Sequence, residues 1–371
     1  MKTLVEIYDE EMILNIITSY NLRPDKTIFL YVEEQQHLIN NEIIHKILGN
    51  DIEYLLFDEH TLIDKLNELD DVCFDIHGGN NLAITIVSQI ARERNVPLYY
   101  PDLNKNVLYH LLDNGLKGEY LKKPKLSVRD IVYLYGASVR NLPEVLFDEE
   151  GRKVVEKLMA HKRKNNKRWA SFTKTMSFLN KRDESGNNWS IDDNTYKYLQ
   201  ELLDDLKGII EVGPKEKGKV RLELIDKKYL LLLTDTGVAF EYDTYYQMLD
   251  SGEFDDVDIR VNIDWNGEPF NHEDPNSELD VMATKDGRLI SVSCKSGKYD
   301  QQAIYEVKAN AVKFGGQSCV AVLATDFDKR HPELVKKAEE IGVFLAEYKT
   351  MWDKTFVQDL LKWMKKNGYI M

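Results

Sequence analysis

The chain has 371 residues, with 63 Asp+Glu against 49 Lys+Arg, a formal net charge of −14, 43% hydrophobic and 10% aromatic residues. At about 150 residues per domain this predicts two to three domains and excludes a disordered chain. No run approaches the roughly 18 apolar residues of a membrane span, and an average charge of −14 argues against a whole-surface nucleic-acid binder.

In chain order, TLVEIYD (3–9) reads as a strand, followed by a helix to Tyr20. The N-terminus reaches the acids Asp9, Glu10 and Glu11 without a long apolar run, so no signal peptide is expected. TIFLYVE (27–33) is a second strand, then a helix over 35–48. IEYLLFD (52–58) and DVCFDIH (71–77) are strands separated by the helix 61–69, and helix 82–94 precedes the strand VPLYYPD (96–102). Repeated βα units imply a mostly parallel sheet covered on both faces, which binds ligands outside the carboxyl ends of its strands. Two strand ends are therefore candidate sites: Tyr8-Asp9-Glu10-Glu11 and His77-Gly78-Gly79-Asn80-Asn81. In the second, two glycines permit close backbone approach and a helix start offers free N–H groups to a phosphate. The same string also reads as a tight turn with an Asn N-cap. Neither a GxGxxG nor a GxxxxGK[ST] pattern is present, so dinucleotide and P-loop readings lose their main support.

Residues 151–182 hold eleven Lys/Arg and the single acid Glu156, a net of +10 that leaves −24 for the rest of the chain. This segment reads either as a solvated helical face or as a phosphate-tracking surface with Trp169, Phe172 and Phe178 as stacking groups. Val154, Val155, Leu158 and Met159 recur at helical spacing and require a packing partner.

After the acidic stretch around 192–205, VRLELI (220–225) and YLLLLTD (229–235) are expected to form a hairpin, and a helix starts near Gly237. DVDIRVNIDW (256–265) alternates as a strand, and 278–295 reads as two strands joined at Lys285-Asp286-Gly287. Strand alternation puts Glu278 and Asp280 on one side with Leu279 and Val281 on the other. In the next strand Ser291, Ser293 and Lys295 share a face opposite Ile290, Val292 and Cys294. A helix over about 299–314 carries Glu306, and 315–325 supplies a further strand. Carboxylates beside a lysine suit phosphodiester hydrolysis, because a hard divalent ion takes oxygen ligands, acidifies water and neutralises phosphate charge. A cross-strand ion pair on a solvated sheet face is the alternative. The three cysteines, Cys73, Cys294 and Cys319, are odd in number and unclustered, which fits a reducing cytoplasm and excludes a cysteine-built zinc site.

The string Asn276-Ser277-Glu278-Leu279-Asp280-Val281, followed by Ser293-Cys294-Lys295, resembles the nuclease domain of the CARF-domain nucleases of type III CRISPR systems. Gly237 to Glu241, Tyr305-Glu306, Phe314-Gly315-Gly316 and the segment 126–136 are similar to further parts of that family, so the resemblance spans nearly the whole chain. It implies an α/β protein with a Rossmann-like CARF domain (1–122), a mainly helical linker region with the basic segment (123–215) and a restriction-endonuclease-like PD-(D/E)xK domain (216–371). It implies Asp280 as central metal ligand and Lys295 as catalytic lysine. Glu241 becomes a further acid at the metal, and Cys294 a ligand through its carbonyl. Ser293 stands where the wider superfamily often has an acid; Glu278 or Glu306 is the expected replacement. The implied cofactors are Mn2+ or Mg2+ and a cyclic oligoadenylate, cyclic tetra-adenylate first, bound across a homodimer by the residues 8–11 and 77–81. The implied substrate is single-stranded DNA or RNA, with nicking of duplex DNA as an extension. Two other functions stay open: a ligand-responsive nucleic-acid-binding regulator with a degenerate nuclease domain, and a nucleotide-metabolising N-terminal half.

Overall fold

A computed structural model describes all residues except 1, 10, 34–40, 113–114, 141–147, 182–187, 265–276, 317, 328–330 and 371. Glu10 and Asn276 thus lie outside the described residues. The first part of the chain runs β1 (Lys2–Ile7), α1 (Ile13–Leu22), β2 (Lys26–Tyr31), α2 (Asn41–Leu48), β3 (Asp51–Leu56) and α3 (Glu59–Asn67). It continues with β4 (Asp71–Asp75), α4 (Asn81–Arg94), β5 (Leu98–Asp102), β6 (Val107–Leu112) and β7 (Gly115–Tyr120). These strands form one sheet in the order β3-β2-β1-β4-β5-β6-β7, parallel through β5 and closed by an antiparallel β5-β6-β7 meander. β1 and β2 are buried along nearly their whole length because helices cover both faces. α3 and α4 pack on one face through Leu62, Leu66, Val87 and Ile90. α1 and α2 cover the other through Ile13, Ile17, Ile43 and Ile44. The strand order reverses between β1 and β4, so the crevice at their carboxyl ends is the expected ligand position of this topology.

The chain continues through α5 (Val128–Leu134), β8 (Ser138–Arg140), α6 (Glu149–Lys164), α7 (Asn166–Asn180), β9 (Asn188–Asp192), α8 (Asp193–Asp205), β10 (Ile210–Glu216) and β11 (Lys219–Leu224). Then come α9 (Leu230–Thr234), α10 (Val238–Ser251), β12 (Asp256–Asp264), β13 (Ser277–Lys285), β14 (Arg288–Lys295) and α11 (Gln301–Gly315). β15 (Val320–Thr325), α12 (Pro332–Ile341), β16 (Val343–Ala346), α13 (Tyr348–Trp352) and α14 (Phe356–Lys366) complete it. A three-stranded sheet has the order β10-β11-β9, and a six-stranded sheet the order β16-β15-β14-β13-β12-β8. α5 and β8 tie the middle of the chain to the six-stranded sheet. Ser127 and Asp130 form a capping box at the start of α5, where the Val128 N–H donates to Asp256 Oδ2 at 2.8 Å. The core under α1 and α2 continues into α5, α11 and the α11 face of the six-stranded sheet, so one apolar cluster joins both sheets.

Three expectations need correction. Residues 229–235 are not a strand: β11 pairs with β10 and β9, while Lys227–Tyr229 and Leu230–Thr234 are helical turns. A short leucine run has no period of its own, and Asp226 starts the turn by accepting from the Lys228 N–H at 2.9 Å. Next, Leu279 and Val281 do not share a face. Ile259, Val281 and Ala283 pack under α10, whereas Val261, Ile263, Leu279 and Met282 pack on the α11 side. The faces exchange at Arg260, whose φ of 52° lies in the left-handed region, opposite Asp280. Lastly, Trp169 and Phe172 are buried and stack on no ligand, since helical periodicity joins them to Val155, Leu158 and Met176 in one core stripe.

The basic segment is mostly a fastener. Arg152 holds Asp250 at 2.5 Å, His161 and Lys157 hold Asp205, and Lys164 and Arg168 share Glu201. Lys162 is 5% exposed and paired with Asp326, which is 2% exposed. These cations bind acids of the same half of the chain.

Candidate functional site

Asp280 sits in β13 and meets Ser293 of β14, just beyond the Val281–Val292 pair. Its Oδ2 accepts the Cys294 N–H at 2.6 Å and the Ser293 hydroxyl at 3.3 Å. Burial raises its pKa, while the Cys294 N–H, the Lys295 charge and the Ser293 hydroxyl act the other way. The Lys295 ammonium has no hydrogen-bond or ion-pair partner among the described residues. Glu241, in the first turn of α10, is pushed up to about 8 by burial and then by Asp280, with Arg260 opposing. Two carboxylates and a lysine thus converge where the sheet exchanges its faces.

Sequence reasoning missed Arg260. Its Nη1 donates to Glu241 Oε2 at 2.8 Å, and its Nη2 pairs with Glu278 Oε1 at 2.6 Å. One guanidinium therefore bridges the helical and the strand glutamate. The available signal was a lone cation in the acidic strand DVDIRVNID, between the positions that pair with Leu279 and Val281. Glu306 is exposed on α11, which covers the opposite sheet face from α10, and no contact joins it to the other groups among the described residues. Arg260 pairs with Glu278 and Glu241 alike, and Asp280 is the carboxylate whose charge bears on Glu241.

The donor chemistry fits a hard divalent cation, because Asp280, Glu241 and the carbonyl of Cys294 offer only oxygen. Asp280 adds to the elevation of the Glu241 carboxyl, and a cation between the two would relieve that repulsion. Cys294 has only its carbonyl to give: its buried thiol is raised far above the ordinary range by desolvation and donates to Thr244 Oγ1 at 3.6 Å. Among the described residues, no group of three or more His, Cys, Asp or Glu side chains is arranged to hold a metal ion.

At the N-terminal crevice the structure redistributes the expected roles. Tyr8 is buried, with its ring edge-on to Phe29, and belongs to the core. Asp9 Oδ1 accepts the Glu11 N–H at 2.7 Å and Oδ2 the Gly79 N–H at 2.9 Å, so its carboxylate staples the two loops together. Gly78 and Gly79 have φ of 97° and 71°, and a Cβ on Gly79 would lie 2.3 Å from Ile7 Cγ2. The glycines serve the contact between loops. Asn80 caps α4 by accepting from the Ala83 N–H at 2.9 Å, and Asn81 is exposed in its first turn.

A cavity of about 300 Å³ opens beside these loops, lined by Glu11, His77, Tyr100 and Asn104 from the first sheet and by Arg288 and Tyr369 from the second half. His77 Nδ1 and Arg288 Nε are buried there without a hydrogen-bond partner among the described residues. Burial holds the His77 pKa below its ordinary value, so the ring is neutral at physiological pH. Unpartnered buried nitrogens on both walls suit a polar ligand.

No protein-family model and no curated protein matches this chain. Among solved structures it is similar to protein VC1899 from Vibrio cholerae, with a TM-score of 0.72 and 19% identity over 98% of each chain. It is also similar to Can2 from Sulfobacillus thermosulfidooxidans in complex with cyclic tetra-adenylate, at 0.68 and 15% identity over 98% of this chain and 97% of that one. A type III CRISPR defence DNA nuclease activated by cyclic oligoadenylate matches at 0.52 and 12% identity. There 98% of this chain spans 52% of the other. The likeness shows a common fold over nearly the whole chain, the CARF-nuclease fold that the sequence resemblance implies.

Proposed function

We propose that this chain, which has the fold of the CARF-domain nucleases of type III CRISPR systems, is a cyclic-oligoadenylate-activated, metal-dependent nuclease acting on single-stranded DNA or RNA. The observation that carries this reading is the convergence of Asp280, Glu241 and Lys295 at one end of the six-stranded sheet. The Cys294 N–H fixes the Asp280 carboxylate, so that a lone pair is held in place with no rearrangement. Arg260 bridges Glu241 and Glu278 and offsets their mutual repulsion. The unpaired Lys295 ammonium stabilises negative charge on the phosphate oxygens as the P–O bond breaks. When bound by Asp280 and Glu241, Mn2+ or Mg2+ supplies an acidified water and charge neutralisation.

Activation follows from the crevice. The cavity walls come from both halves, so a ligand there contacts the sensing sheet and, through Arg288 and Tyr369, the catalytic sheet. Cyclic tetra-adenylate carries two-fold symmetry, which matches a homodimer in which equivalent loops of two copies face one ring. The ligand shifts the molecule toward its cutting arrangement only as far as it prefers that arrangement. Labelled single-stranded and duplex DNA and RNA, incubated with Mn2+ and cyclic oligoadenylates of several ring sizes, test the reading. The expected result is cutting of single strands that depends on one ring size; intact strands under every condition refute it.

A further inference from the structure

The fastening role of the basic segment leaves a remainder. Lys167, Lys174 and Lys181 have no hydrogen-bond or ion-pair partner among the described residues, and all three are exposed. They are spaced by seven along α7 and its C-cap, two helical turns, which aligns them on one stripe of the helix. Phe178, four residues after Lys174, projects from the same stripe and is 53% exposed. Every other described cation of the segment points at an acid or a carbonyl oxygen.

The C-terminal half of the stripe forms one wall of an open groove of about 360 Å³. Ser177 belongs to that wall, and Thr234, Asp235 and Thr236 form the other. The second wall is the turn that enters α10. Asp235 Oδ1 is engaged by the Gly237 N–H at 2.7 Å, and a Cβ on Gly237 would lie 3.3 Å from Glu241 Oε1. The groove therefore ends beside the acid that faces Asp280.

We infer that this groove is the subsite for the strand flanking the scissile phosphate, with Lys174 and Lys181 on phosphates about 10 Å apart along the helix axis and Phe178 stacked on an unpaired base. The hydroxyls of Ser177 and Thr236 supply uncharged donors to the same backbone, while that of Thr234 donates to the Leu230 carbonyl at 2.8 Å. A base stacked on Phe178 must be out of a duplex, so the groove selects single strands. This inference rests on the nuclease reading for its meaning, but its test does not need cutting.

The probes are labelled 12-nucleotide oligo-dT and oligo-U, measured by fluorescence anisotropy in EDTA with the full-length protein across a salt series. Lys174→Gln with Lys181→Gln is expected to flatten the slope of log affinity against log salt by about 1.4, roughly 0.7 for each lost phosphate contact. Phe178→Ala is expected to weaken binding about 5- to 150-fold, and to leave a duplex probe unaffected. Lys153→Gln, at an exposed cation off the stripe, serves as the folding and charge control and should change neither quantity. Unchanged slope and affinity in the groove variants overturn the inference, as does a wild-type protein that binds neither oligonucleotide. If the wild type cuts in Mn2+ with activator while groove variants bind as it does, the groove falls and the nuclease reading stands. If groove variants lose binding but no protein cuts, the groove stands and the nuclease reading falls.

Discussion

Replacing Lys162 by Met removes the only cation paired with Asp326 among the described residues, a carboxylate that is 2% exposed. Asp326 keeps the Ser296 hydroxyl at 3.1 Å and loses its charge partner. Breaking a buried pair at one end costs about 3–5 kcal/mol, and the remaining hydroxyl places this case near the lower figure, about 3 kcal/mol. The paired change Lys162→Met with Asp326→Leu removes both charges and should return to within about 1 kcal/mol of wild type. All five tryptophans follow residue 150, so urea unfolding read by tryptophan fluorescence reports on this half of the chain. With a slope of about 2–3 kcal/mol/M the single variant should shift the midpoint down by about 1–1.5 M. Lys162 Nζ also contacts Ser296 Oγ at 2.5 Å, next to Lys295, so cleavage by the single variant should fall in kcat more than it rises in KM. A single variant within about 1 kcal/mol of wild type, or a double variant no better than the single one, would refute the reasoning.

The first sheet carries a second buried pair, of like charge. Glu6 and Asp75 face each other in register between β1 and β4, both fully buried. Burial raises both carboxyls, Asp75 to about 7 and Glu6 well above its ordinary range, with Asp75 adding to Glu6. Raised folded values mean that their contribution is full below about pH 4, where the unfolded carboxyls are protonated too, and declines as pH rises toward 7, by about 1.4 kcal/mol per pH unit for each proton lost only on unfolding. Urea melts by circular dichroism at pH 5 and pH 8 should show this loss, and Glu6→Gln should reduce it. Gly79→Ala, at φ 71° and against Ile7, should destabilise the fold by at least about 1–2 kcal/mol and weaken cyclic tetra-adenylate binding, as followed by calorimetry. Chelation by EDTA should abolish cleavage and leave oligonucleotide binding at the groove in place.

Much of the α/β order was legible because alternating strands and helices carry their own period. Asp280, Ser293 and Lys295 were found because they sit in consecutive strands joined by a two-residue turn, Asp286 and Gly287, whose positive φ fixes the register. Glu241 lay far away in sequence and came from resemblance alone. Arg260 was missed because its left-handed φ exchanges the sheet faces, an event that alternation cannot express. The +10 segment misled for a related reason: charge can be counted in a sequence, but its partners lie elsewhere in the fold, Glu201 and Asp205 in α8, Asp250 in α10 and Asp326 after β15. Asp9 was read as facing a ligand, although its acceptors are satisfied by backbone N–H groups of two loops that only the folded sheet brings together. Net charge therefore described the surface poorly, and within the basic segment the cations without a partner among the described residues are Lys167, Lys174 and Lys181.

The central claim is that Lys295 cuts and that the N-terminal crevice permits it. The most direct measurement compares wild type and Lys295→Ala for cyclic tetra-adenylate binding and for cleavage of a labelled single strand in Mn2+, each with and without that ligand. The account predicts equal ligand binding by both proteins, cleavage by the wild type only when the ligand is present, and none by Lys295→Ala. Cleavage that survives the substitution, or that proceeds equally without the ligand, would contradict it.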